Sequence, residues 1–238
     1  VLKFAKLTEQ YWVRMSLIDR EKRPETRPET KEDRRARIFD QARRLIGENG
    51  FEGLSLRKLA IASGVTVPTI YNLIGGKDKI LLEMNAGMVR LIEHELTRID
   101  QDHPLEIAEA VVIEATRITG EDENFHRAAL VASDHLHRTA SEHADWRDLG
   151  RRAAGMQEMA ARNAQKMGLL KGRISPALIG RQIFRNYQSA SRDWAYRLID
   201  LNEFRRIALL GVYLHLAADA AEPFHQVLIE KINALKTD

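Results

Sequence analysis

Apolar residues recur at intervals of three and four along most of this chain, the spacing of one face of an α-helix. Phe4, Leu7, Tyr11, Met15 and Ile18 form a first stripe. Then comes Arg23-Pro24-Glu25-Thr26, repeated as Arg27-Pro28-Glu29-Thr30, where two closely spaced prolines forbid a helix and predict an extended, charged linker. Thr30 and Asp33 have the spacing of a helix start, hydroxyl and carboxylate each serving the other's backbone. Ile38, Ala42, Leu45 and Ile46 mark a first helix, ended at Asn49-Gly50 by a left-handed cap. Ser55 caps a short helix, Leu56 to Ser63, with Leu56, Leu59 and Ala60 inward and Gly64 as breaker. Thr66 caps another, Val67 to Ile74, with Pro68 in the first turn, where its missing N–H costs nothing. After Gly75-Gly76, Lys77 and Asp78 open a long helix carrying Ile80, Leu81, Met84, Met88, Leu91 and Ile92.

The remainder predicts further helices: Leu105 to Thr119, Asn124 to His137, Trp146 to Met167, Pro176 to Leu198, Glu203 to Ala221, and a last one after Pro223 with Val227, Leu228, Ile232 and Leu235. No long Val/Ile/Thr run alternates with period two, so the expected class is all-α. Ala, Leu, Arg and Glu, all good helix formers, dominate the composition. There is no cysteine, which excludes disulfides, thiolate metal sites and thiol nucleophiles. No apolar stretch approaches the ~18 residues needed to cross a bilayer, and no signal-peptide pattern opens the chain, so a soluble, cytoplasmic protein is expected. The formal net charge of +3 is too small to name a partner by itself. Residues 1–14 are left open as native or not, Met15 being an alternative start.

The stretch from Ser55 to Ile74 carries the chemistry. Two short helices meeting at a glycine suit a helix-turn-helix, whose second helix enters the major groove and points its first turn at the bases. Thr66 offers a hydroxyl to phosphate, Thr69 and Asn72 can hydrogen-bond base edges, and Val67 and Pro68 can pack against a thymine methyl. Ser55, Arg57 and Tyr71 complete the DNA-facing set, with Lys77, a cation set against the helix dipole at a helix start.

Gly53-Leu54-Ser55-Leu56-Arg57-Lys58-Leu59-Ala60, Ser63-Gly64-Val65, Pro68-Thr69-Ile70-Tyr71, and Lys77 with Ile80-Leu81-Leu82 resemble the tetracycline-repressor (TetR) family across about Arg34 to Leu82. The resemblance implies phosphate contacts for Tyr71 and Lys77 and base-reading positions at Arg57, Val67, Pro68, Thr69 and Asn72. Asn72-Leu73-Ile74 departs from the aromatic or His followed by Phe common there. It also implies an organisation: an extension and linker at 1–33, the helix-turn-helix domain at 34–82, and a helical ligand-binding and dimerisation domain at 83–238.

Within that last domain the expected pocket lining is Met88, Leu91, Phe125, Trp146, Met156, Met159, Phe184 and Tyr187, which suits a hydrophobic or amphipathic effector. The helix pair Pro176–Leu198 and Glu203–Ala221 is expected to form the homodimer through Ile183, Tyr187, Ala190, Trp194, Ala208, Gly211, Leu214 and Ala218. His126, His135, His137 and His143 cluster in sequence but lack metal-site spacing, so neither metal nor cofactor is expected. The functional expectation is a repressor that binds a palindromic operator as a dimer and leaves it when an effector favours a pivoted state of the Lys77 helix. Two rivals stand beside it: an enzyme in the C-terminal domain, for which no phosphate loop, nucleophile elbow or carboxylate–His set is visible, and a DNA-binding protein that answers to a protein partner or acts as an activator.

Overall fold

The computed structural model describes residues 29–139 and 144–235, with the side chains at 135 and 137–139 excluded. The stripe from Phe4 to Ile18, the linker up to Pro28, and the side chains of His135, His137 and His143 lie outside the described residues. Ten helices and no strand occur among the described residues. They fall into two units: one holds the described residues up to Gly87 together with Asp122–Ser133, the other Met88–Glu121 and those from Asp134 on.

In the first unit, α1 (Lys31–Gly53) begins with the expected capping box, Asp33 N–H donating to Thr30 Oγ1 at 3.1 Å and Thr30 N–H to Asp33 Oδ2 at 2.9 Å. Gly50 does interrupt this helix, with φ 69°, but helical turns resume to Gly53 rather than ending there. The reason is Phe51, which is buried and draws the chain back onto the core. Then follow α2 (Leu56–Ala62), α3 (Val67–Leu73) and α4 (Lys77–Leu96), whose first half belongs to this unit. Ile38, Ile46, Leu59, Ile70, Ile80 and Leu81 form the fully buried centre, each contributing roughly 1.5–3 kcal/mol by leaving water.

The start of α6 (Glu123–Thr139) also packs in this unit, a correction to the boundary expected at 82. Asp122 caps it by accepting Phe125 N–H at 3.1 Å and holds Arg43 Nε of α1 at 3.0 Å. The Arg43 guanidinium lies 5.5 Å from the Phe125 ring centroid. Gly47 faces the Phe125 backbone, so Phe125 is committed to packing on α1 and does not serve as pocket lining in the second unit.

The second unit contains α5 (Pro104–Glu121), α7 (Ala144–Lys166), α8 (Pro176–Ala195), α9 (Leu201–Ala217) and α10 (Phe224–Ala234). Helices α5 and α9 run antiparallel: Thr116 Oγ1 accepts Arg205 Nε at 2.9 Å, and Glu109 accepts Tyr213 Oη at 2.6 Å. Lys231 Nζ of α10 reaches the same Glu109 at 2.8 Å. Burial first, and then the Glu109 carboxylate, raise the Tyr213 phenol above its ordinary value. Asp219, almost wholly buried, accepts the N–H groups of Gly172 at 2.8 Å and Arg173 at 3.1 Å, tying the α7–α8 loop to the end of α9 beside the Leu170–Ala220 bridge.

Helices α7 and α8 pack most closely at Gly180, where an added Cβ would stand 2.5 Å from Glu158 N and 2.7 Å from its Cα. Those are backbone atoms and cannot rotate aside. Gly180→Ala is therefore expected to destabilise the protein by about 2–3 kcal/mol, the cost of forcing two packed helices apart. Urea or thermal unfolding measures this; an unchanged midpoint would show that the helices separate freely.

Candidate nucleic-acid interface

Helix α3 is only seven residues long and sends one side chain, Ile70, fully into the core. Its other faces look outward. Thr66, Pro68, Tyr71 and Asn72 are exposed, and Val67 and Thr69 are half-exposed. Gly64, with φ 61°, makes the turn that sets α3 against α2, a conformation a glycine adopts without strain. Thr66 Oγ1 accepts Thr69 N–H at 3.3 Å and lies 2.8 Å from Thr69 Oγ1, so the two hydroxyls serve one another. What the first turn then presents is largely carbon: Val67, Pro68 and the threonine methyls.

The helix pair is held from behind by α1. Arg37 Nε donates to Ser63 O at 2.8 Å and Arg35 Nη1 donates to Leu73 O, so a guanidinium sits at the C-terminal, negative end of each short helix. Arg37 and Arg34 also pair with Glu29. Sequence reasoning passed over these arginines, because nothing in their spacing distinguishes a clamp from a solvated charge.

Among the expected DNA-facing residues, Ser55 acts as the α2 cap, accepting Lys58 N–H at 3.2 Å, while Arg57 and Lys58 stand exposed on the next turn. Ile61 shares their face and is 76 % exposed, an apolar residue the helical pattern had not singled out. The Tyr71 ring lies against the Gly75-Gly76 turn, 3.9 Å from where a Gly76 Cβ would be. Lys77 follows that turn, its Nζ 4.3 Å from the Phe51 ring centroid and 3.6 Å from Glu52 Oε2. The structure thus gathers Tyr71 and Lys77 around one turn and adds Phe51 and Glu52, which the sequence had shown only as an unremarked pair.

Residues 38–84 match the family model of bacterial regulatory proteins of the tetR family. Over those residues the chain is similar to the TetR family. The matched segment spans most of α1, all of α2 and α3, and the start of α4. Over 82 % of its length the chain is similar in fold to SmeT, described as the repressor of the Stenotrophomonas maltophilia multidrug efflux pump SmeDEF, at 21 % identity, TM-score 0.62 and 93 % of that chain. It is similar to FadR from Bacillus subtilis in complex with stearoyl-CoA, at 19 % identity, TM-score 0.59, and 74 % and 96 % coverage. Thermus thermophilus FadR, in complex with lauroyl-CoA, matches at 21 % identity, TM-score 0.55, and 74 % and 94 % coverage. At these identities the likeness shows the fold. No curated protein matches the chain in sequence.

In the second unit, burial divides the residues expected to form the dimer. Ile183, Ala190, Trp194 and Ala208 have at most 1 % of their surface exposed within the one chain, so none is free to touch a partner. Trp194 stacks on Phe204 at 5.9 Å, and Gly211 is filled by Asn186, whose Nδ2 bonds Ile207 O at 3.1 Å. The helical stripe marked the inward face. Leu214, at 50 % exposure, and Ala218 do face outward, and Leu178 of α8 is exposed as well. Of the expected pocket residues, Leu91, Trp146 and Met156 are buried, while Met88, Met159, Phe184 and Tyr187 keep accessible surface. Burial pushes the Tyr187 phenol above its ordinary value, while part of the residue keeps accessible surface.

Among the described residues no cluster of three His, Cys, Asp or Glu side chains is arranged to hold a metal, and no helix is long and apolar enough to cross a membrane. His126 instead packs edge-on to Phe125 at 4.9 Å between ring centroids. Burial, with the Arg43 cation adding and Asp122 opposing, lowers its imidazole to about 4 from 6.5. Between those two values the unfolded chain binds a proton that the folded chain does not, so stability falls as pH drops through the window. Wild type is expected to lose up to about 3 kcal/mol across it from this group. His126→Leu should remove that part of the slope in urea titrations at a series of pH values; an unchanged slope would assign it elsewhere.

Proposed function

We propose that this regulator is a repressor that binds a palindromic operator as a homodimer and is released by a small hydrophobic or amphipathic effector. The observation that carries the reading is the match of residues 38–84 to the TetR model together with an α3 that turns all but one of its side-chain faces outward. A seven-residue reading helix offers few contacts, and a two-fold pair doubles them over palindromic half-sites. In this reading Tyr71 and Lys77 bind phosphates, Thr66 and Ser55 support the backbone contact, and Arg57, Val67, Pro68, Thr69 and Asn72 read bases.

The outward faces of α8 and α9, with Leu178, Leu214 and Ala218, are the surface for the second copy. In this reading Tyr187, Met88, Met159 and Phe184, which keep accessible surface, line the effector site together with the buried Leu91, Trp146 and Met156. The FadR structures hold stearoyl-CoA and lauroyl-CoA, which are amphipathic ligands of the proposed class. Release follows from differential affinity: the effector shifts the equilibrium only as far as it prefers the state that does not fit DNA. Helix α4, which contributes residues to both units, is the element expected to pivot between the two states.

Fluorescence anisotropy with DNA flanking the protein's own gene tests the reading, and saturable binding dependent on the palindrome is the expected result. Adding long-chain acyl-CoA, and separately a panel of small apolar compounds, separates an effector-released repressor from a regulator that answers only to a protein partner. Tyr71→Phe and Lys77→Ala should weaken binding to all sequences alike, and Lys77→Ala should lower the salt slope by about one. An unaltered slope would remove Lys77 from the phosphate contacts. Leu214→Glu should yield a folded monomer that loses palindrome-specific binding, read by light scattering alongside anisotropy; a dimer that persists would place the interface elsewhere.

A further inference from the structure

We propose that Phe51 and Glu52 are positioning residues for the Lys77 ammonium, the ring seating it and the carboxylate competing with DNA phosphate for it, an inference that rests on the DNA-binding reading above. The head thereby carries a restraint on its own affinity. Lys77 opens α4, where the positive end of the helix makes a cation unfavourable. Two neighbours offset this. The Phe51 ring face lies 4.3 Å below Nζ and attracts the charge without neutralising it. Phe51 is itself fixed: it is buried, and its carbonyl accepts Leu54 N–H at 3.2 Å in the short turn that follows the break at Gly50.

Glu52 acts differently. Its carboxylate stands 3.6 Å from Nζ, yet its side chain is 91 % exposed while that of Lys77 is 26 % exposed. So open an ion pair is weak and readily exchanged. It still occupies the side of the ammonium that faces water, which is the side a phosphate must approach. Tyr71, also given a phosphate in that reading, lies against the adjoining Gly75-Gly76 turn. A phosphate reaching Lys77 therefore displaces Glu52 but leaves Phe51 in place.

The test uses the full chain and a fluorescent duplex recovered by selection from a randomised pool, with an arbitrary duplex as the second probe. Glu52→Gln is expected to tighten binding to both duplexes by about threefold at low salt, the size of one screened charge a few ångströms away. The gain should fade as salt rises. In a Lys77→Met background the gain should vanish. Phe51→Leu, which keeps an apolar filler but removes the ring face, should weaken both duplexes by about three- to fivefold with a cooperative melt retained. Unchanged affinity in Glu52→Gln, or the same gain with Lys77→Met present, overturns the competing role. Wild-type affinity in Phe51→Leu overturns the seat. If selection enriches no sequence and wild type binds neither duplex, the DNA-binding reading falls and this inference with it.

Discussion

A seven-residue helix is not stable in water by itself, because fixing its first turn costs more than so few hydrogen bonds return, so α3 persists only as far as its neighbours hold it. Three restraints do so. Ile70 is sealed in the core beside Leu59, Thr66 caps the first turn, and Arg35 and Arg37 of α1 take the carbonyls at the ends of α3 and α2. Each restraint acts from behind or from an end. Apart from the Thr66 and Thr69 hydroxyls, the outward face therefore keeps its shape without using its own side chains for stability.

The same economy explains the chemistry of that face. Thr66 and Thr69 spend their hydroxyls on each other and on the cap, so the first turn presents mostly carbon, and Asn72 is exposed with its amide. In the proposed DNA-binding reading, affinity then depends heavily on phosphate contacts around the Gly75-Gly76 turn. A site of that kind is sensitive to what surrounds each cation, which is why the Phe51 ring and the Glu52 carboxylate beside Lys77 matter.

In the second unit the constraints are close approach and buried polar ties. Gly180 lets α7 and α8 meet backbone to backbone, Glu109 joins α5 to both α9 and α10, and Asp219 pins the α7–α8 loop. Beside these tight contacts, Tyr187, Phe184 and Met159 keep part of their surface accessible.

Local chemistry made much of this legible in advance. Caps at Thr30, Ser55 and Thr66, the turn at Gly64, and helical stripes through α1 to α10 follow from residue type and spacing alone, because capping and periodicity act within a few residues. The amino-acid sequence by itself determined an all-helical chain with a helix-turn-helix head, and the outward set from Arg57 to Lys77. Only the tertiary structure decided what contacts across long separations decide. It assigned Asp122–Ser133 to the head through Arg43, turned Ile183, Ala190, Trp194 and Ala208 inward, and brought Phe51 and Glu52 to Lys77. A helical stripe reveals that one face is buried but not against which element, and a charge in sequence does not name the group that folding will set beside it.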